Sequence, residues 1–199
     1  DFIVVGGGLV GASVAYGLLK SGATVTVLDE GDTAFRASRG NFGLVWVQSK
    51  GDGMHQYAAW SRESSDLWPD FAERLGEETG INVGHHRPGG LELCLDEAEY
   101  KDYENSINRR HNQPSVGENG RRMLSGDEVR RMEPSVGPEV VGASYCPYDG
   151  IVNPLYTLRA LHQKCIETGM IYRSDHIVEK IIPQSPGFKV RTSKGDFIG

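Results

Sequence analysis

Four apolar residues, Phe2-Ile3-Val4-Val5, lead directly into Gly6-Gly7-Gly8-Leu9-Val10-Gly11. The apolar run has the character of a buried parallel strand. The glycines fall as Gly6-x-Gly8-x-x-Gly11, and Val10, Val14, Leu18 and Leu19 then recur on one side of a helix. The order strand, glycine turn, helix is what a dinucleotide site requires. Gly6 permits the tight turn, Gly8 lets a pyrophosphate approach the backbone, and Gly11 lets the helix pack close to the strand. The first helical N–H groups and the helix dipole then face the anion. Alone, such a turn is weak evidence. A second strand, Ala23–Leu28, strengthens it by ending in Asp29-Glu30, with Asp29 18 residues after Gly11, where an acid that binds a ribose hydroxyl belongs. The competing reading is a structural glycine turn with a surface acid.

Composition narrows the class. With 38% hydrophobic and 24% charged residues among 199, the chain is globular. The net charge of −6, without a basic block, argues against a nucleic-acid partner. No apolar run approaches the roughly 20 residues of a membrane-spanning helix, and no signal peptide is evident. Cys94, Cys146 and Cys165 are widely spaced and odd in number. They read as free thiols in a reducing, cytoplasmic setting, peripheral membrane association remaining compatible. Cys146 reads as a small buried filler rather than a reactive thiol. The adjacent His85 and His86 face opposite sides of an extended backbone, so no metal site is expected.

After Glu30 the chain turns and reaches Phe35-Arg36-Ala37-Ser38-Arg39-Gly40-Asn41-Phe42-Gly43-Leu44. Small, polar and glycine residues suit a backbone that passes close to a ligand and make a poor ordinary helix. GGGLVG, VLDEGD and ASRGNFG at this spacing resemble the FAD-dependent amine oxidoreductases of the D-amino-acid oxidase, glycine oxidase and sarcosine oxidase superfamily. The Phe35–Gly51 stretch is also similar to opine oxidase and hydrogen-cyanide-synthase type subunits. The resemblance implies FAD contacts at Leu9, Val10, Asp29, Glu30, Ala37, Ser38, Phe42, Gly43 and Leu44, with Arg39 and Asn41 as additions. It implies that Leu44 lies beside the flavin and lines the substrate pocket. Trp46 and Gln48 follow it and are candidates for the same wall, with plain packing as their alternative.

Farther on, Tyr57, Trp60, Leu67, Phe71 and Leu75 mark a helix over 54–80 that Pro69 kinks or splits. The aromatic stripe reads as helix packing. Leu91–Leu95 alternates as a half-buried strand, and Asp96 caps a helix running to about Asn112. Gln113–Arg121 is a loop. Ser125 and Glu128 form a capping box, and Val140–Cys146 is another strand. Asp149-Gly150-Ile151-Val152-Asn153-Pro154 leads into a helix with Pro154 in its first turn, and the same motif is typical of the family. Met170–Tyr172 reads as the third parallel strand, and 177–182 with 188–192 as a small antiparallel unit. The resemblance implies that Val178 meets the adenine through its backbone.

The expected architecture is therefore α/β: a Rossmann-like FAD-binding domain with a parallel sheet, formed by 1–83 and 149–199. An α+β segment of the substrate domain, 84–148, interrupts it. The chain reads as the N-terminal half of a longer protein. By resemblance that protein oxidises the C–N bond of an amino acid or N-substituted amino acid (opine, glycine or D-amino acid), with a partner subunit or oligomer among its assemblies. No catalytic side chain is identifiable here. A non-catalytic dinucleotide-binding module and an NAD-dependent dehydrogenase are the alternatives. The loop at 37–44 argues against the second.

Overall fold

The computed structural model describes residues 1–31, 37–111 and 120–199. In chain order the elements are β1 (Phe2–Val5), α1 (Leu9–Lys20), β2 (Val25–Leu28), α2 (Ala37–Gly40), β3 (Leu44–Val45), α3 (His55–Thr79), β4 (Gly90–Cys94), α4 (Glu97–His111), β5 (Arg122–Ser125), α5 (Gly126–Met132), β6 (Gly142–Cys146), β7 (Gly150–Ile151), α6 (Pro154–Glu167), β8 (Ile171–Arg173), β9 (Val178–Pro183), β10 (Phe188–Thr192) and β11 (Gly195–Ile198). Phe35 and Arg36, and residues 113–119 of the loop expected at 113–121, lie outside the described residues. The chain divides into two compact units, one of 1–43, 72–84 and 153–199 and one of 44–71 and 85–152.

The first unit carries a parallel sheet in the order β1-β2-β8, with Val4 opposite Val27 and Val27 opposite Tyr172. This is the Rossmann-like arrangement expected from the glycine turn and the two strands flanking it. Its core joins Ala15 and Leu19 of α1, Val25 and Val27 of β2, Cys165 of α6, and Met170. Two details depart from the apolar pattern. Among the described residues the strand β1 pairs on one side only, so Phe2 and Val5 remain about half exposed rather than buried. On α1 the buried face is Ala12, Ala15 and Leu19, whereas Val10 and Val14 point outward. Small residues win that face because α6 approaches closely: the Cys165 thiol reaches the Ala12 carbonyl at 3.8 Å. A second sheet, antiparallel in the order β11-β10-β9, completes the unit. The reading at 177–192 lacks its third strand, β11.

The second unit contains the antiparallel sheet β4-β6-β5 and the two-stranded pair β3-β7. The strand β5 falls just after the expected loop, where four residues are too few to show a period. Leu124, Val129, Val140 and Ala143 form its core. The helix α5 starts with the capping box read from sequence: Ser125 Oγ accepts from the Glu128 N–H at 3.4 Å, and Glu128 accepts from the Ser125 N–H at 2.8 Å. Ser125→Ala is expected to destabilise the protein by about 1 kcal/mol in urea unfolding, with the flavin content of the purified protein unchanged.

The helix α3 runs unbroken through Pro69, so Pro69 does not split it. Its stripe is only partly a packing seam. Leu75 is fully buried, whereas Trp60 and Leu67 are exposed among the described residues.

Candidate functional site

The turn after β1 is built as its glycines require. Gly6 sits at φ +95°, a left-handed conformation that side chains rarely tolerate. A Cβ on Gly11 would run into the Gly6 carbonyl oxygen, so helix and turn can meet only without one. A Cβ on Gly8 would stand 2.9 Å from Ser38 Oγ. Gly7, outside the GxGxxG pattern, is equally constrained, because a Cβ there would lie 2.7 Å from the Tyr172 ring.

Gly8 is the N-cap of α1 and supplies no side-chain cap. The first helical N–H, at Leu9, donates instead to Ser38 Oγ at 3.0 Å. Ser38 lies on α2, a single turn that the glycine-rich composition of 37–43 did not suggest. Asn41 shapes its exit, accepting from the Gly43 N–H at 2.8 Å and donating to the Ser38 carbonyl at 3.1 Å. The segment thus folds back on the N-terminus of α1, where N–H groups and the helix dipole favour an anion.

Asp29 is buried at the end of β2. Its Oδ2 accepts from the Gly7 N–H at 2.6 Å and its Oδ1 from the Gly31 N–H at 3.0 Å. The acid therefore ties the glycine turn to the chain beyond β2. A carboxylate is the acceptor type that suits a ribose hydroxyl.

Two clefts share Asp29 and Gly8 in their walls. One, of about 400 Å³, is lined by Gly6, Gly8, Asp29, Glu30, Ala37 and Val178, all named from the sequence, together with Val5, Leu28, His176 and Ile177. The other, of about 450 Å³, takes Gly8, Asp29 and Arg39 from the expected set. It adds Arg159 and His162 of α6, Tyr172 of β8, and Ser174, none of which the sequence reading singled out. His162 Nε2 is 2.6 Å from the Gly7 carbonyl. A carbonyl only accepts, so this nitrogen carries the proton. The histidine sits 155 residues from the turn in sequence, and no local motif marks it. Phe42 and Leu44 are exposed and line neither cleft.

In the second unit a third cleft, of about 310 Å³, is walled by Leu44, Trp46, Tyr57, Trp60 and Trp68 with three serines of α3. Gln48 does not line it. That side chain is 1% exposed, and its Oε1 accepts from Ser144 Oγ at 3.0 Å.

The three cysteines are free and buried. Burial pushes the thiols of Cys146 and Cys165 up to about 11, so the thiolate needed for attack is scarce near neutrality. An alkylating thiol reagent at pH 8 is expected to leave all three unmodified in the native protein and to label them after denaturation. Labelling of native Cys146 would reverse its assignment as filler.

An extended dinucleotide suits this architecture: a helix start whose N-cap is a glycine without a Cβ, a buried acid at the end of β2, and clefts lined by both. No described helix is long and apolar enough to cross a membrane. Comparison with known proteins gives the same direction. The chain is 41% identical over 192 residues to an opine oxidase subunit of Rhizobium meliloti, covering 94% of this chain and 51% of that protein. It is also 41% identical to the corresponding opine oxidase subunit of Agrobacterium tumefaciens (strain Ach5), with the same two coverages. The crystal structure of glycine oxidase from Geobacillus kaustophilus superposes with a TM-score of 0.87 at 28% identity, over 99% of this chain and 52% of that one. The chain thus spans about half the length of the curated relatives it matches. The family model described as FAD dependent oxidoreductase matches residues 1–198, and the chain belongs to that family.

Proposed function

We propose that the first unit holds FAD and that the whole protein, of which this chain is a part, oxidises the C–N bond of an amino acid or N-substituted amino acid. The observation that carries the cofactor assignment is the convergence of Gly6, Gly8, Asp29, Glu30, Ala37 and Val178 on one cleft at the start of α1. In this reading Asp29 and Glu30 meet the adenosine ribose and Val178 the adenine. Leu9, Val10, Gly11 and Ser38 face the pyrophosphate at the helix N-terminus. Arg39, Asn41, Phe42, Gly43 and Leu44 carry the chain along the rest of the cofactor. FAD, when bound, supplies the hydride acceptor, and the protein supplies orientation and electrostatics. Leu44 and Trp46 are assigned to the substrate wall, which places a substrate-binding role in the second unit.

The similarity to opine oxidase subunits from two bacteria supports N-carboxyalkyl amino acids as the first substrate class. Glycine and D-amino acids rank behind them. Both of those relatives are components of a larger enzyme by name, which supports a multi-chain assembly here. The test is anaerobic mixing of the full-length flavin-loaded protein, with any partner chains, against such amines. Loss of the oxidised flavin's visible absorbance, with release of the matching oxo-acid, is expected. If an alcohol or a nicotinamide nucleotide bleaches the flavin while every amine fails, the amine assignment falls and the FAD fold stands.

A further inference from the structure

The motif Asp149-Gly150 carries a buried acid that the functional reading does not use. Asp149 is 0% exposed, just before β7. Its Oδ1 accepts two backbone N–H groups from the other end of the unit, Val47 at 2.5 Å and Gln48 at 3.2 Å. The ladder between β3 and β7 is only two residues long, ending at Val45 opposite Gly150. Beyond it the Asp149 side chain takes over as the acceptor for the departing strand. The next residue, Ser49, lies at φ +60°, which is costly for a residue with a side chain. A strained residue persists only where its surroundings over-determine it, and here the two N–H bonds immediately precede it.

Behind this point stands a hydrogen-bonded row. Gln48 Oε1 accepts from Ser144 Oγ at 3.0 Å, Ser144 Oγ accepts from Arg121 Nε at 2.6 Å, and Arg121 pairs with Glu92 at 3.0 Å. In front stands Trp46, on the wall of the aromatic cleft. Gly90 makes room for both: a Cβ there would lie 2.7 Å from the Trp46 ring and 2.8 Å from Asp149 Oδ2.

We infer that Asp149, with Ser144 behind Gln48, is a positioning device that holds Trp46–Gln48 in place and so sets how tightly the aromatic cleft receives the amine substrate. The inference rests on the proposed amine oxidation and on the assignment of Trp46 to the substrate wall. Asp149 itself touches no substrate. Burial pushes its carboxyl up, and the N–H groups of Val47 and Gln48 pull it partly back. The function needed is an acceptor rather than a charge, so the isosteric amide can replace it.

The experiment uses the full-length flavin-loaded protein and the amine that reduces it, with Asp149→Ala, Asp149→Asn and Ser144→Ala. Asp149→Ala is expected to raise KM about tenfold, with kcat within about threefold and FAD content unchanged, since a displaced wall weakens binding before chemistry. Asp149→Asn keeps an acceptor for both N–H groups and is expected to restore KM to within about threefold. Ser144→Ala frees the Gln48 side chain and is expected to raise KM about threefold. Amide hydrogen exchange over 46–50 should rise in Asp149→Ala and stay slow in Asp149→Asn. If Asp149→Ala does not accumulate, Ser144→Ala and Asp149→Asn decide the matter. An unchanged KM in Ser144→Ala, or an Asp149→Asn protein with KM raised tenfold, overturns the inference. A wild-type protein that no amine reduces marks instead the failure of the functional reading. An active wild type with KM indifferent to these changes marks the failure of this inference alone.

Discussion

Gly11→Ala, introduced in the full-length protein, is expected to abolish flavin retention and to destabilise the fold by about 3 kcal/mol, the upper range for overpacking a tight site. The added Cβ would overlap the Gly6 carbonyl oxygen and lie 3.0 Å from the carbon that bears it, and 3.4 Å from Val4 Cγ1. None of these is the end of a flexible side chain except the last. The Gly6 backbone cannot yield freely, because its N–H donates to the Leu28 carbonyl at 2.8 Å and its φ is already +95°. Relief must come from moving α1 away from β1, which dismantles the anion-facing turn. Gly17→Ala in the same helix is the control. A Cβ there meets nothing within 4 Å, and the change is expected to stabilise the protein by about 0.5–1 kcal/mol through helix propensity. Thermal unfolding and bound-flavin absorbance of the two variants report both effects. A Gly11→Ala protein that melts like the wild type and stays yellow would refute the packing argument.

Asp29→Ala is expected to be nearly as severe. It leaves the Gly7 and Gly31 N–H groups without the carboxylate oxygens they now reach at 2.6 and 3.0 Å. Losing charged hydrogen bonds in a buried site costs about 1.5–3 kcal/mol each. The proposed ribose contact adds a further loss of similar size in FAD affinity. Asp29→Asn separates the two contributions. It retains one carbonyl acceptor but turns an amide N–H₂ toward one of the backbone donors, so intermediate stability is expected. FAD titration below the melting temperature of each variant isolates the cofactor effect. A folded Asp29→Ala protein that binds FAD as tightly as the wild type would remove the ribose contact and leave Asp29 as the strap of the glycine turn.

Local chemistry alone determined the strand–turn–helix–strand order of the first unit, the acid that ends β2, the capping box at Ser125 and the Asn153-Pro154 start of α6. Each of these is decided within a few residues, by a φ that only glycine reaches, by a side chain that caps the N–H groups just ahead of it, or by a short apolar period. Tertiary structure decided the rest. Apolarity alone puts Val10 and Val14 of α1 inside, but Ala12 and Ala15 are buried because α6 packs too closely for anything larger. The two-residue strands β3 and β7 exist only because Leu44 and Ile151, far apart in sequence, align as partners. Asp29 was legible as an acid in the right place, but its hold on the Gly7 and Gly31 N–H groups was not. His162 and Tyr172 reach the glycine turn from about 160 residues away and carry no motif. Gln48 stood among the candidates for a substrate wall, yet its amide is drawn inward by Ser144, leaving Trp46 on the cleft. A hydrogen bond across a hundred residues has no local signature, because it depends on where the intervening chain brings its partners together.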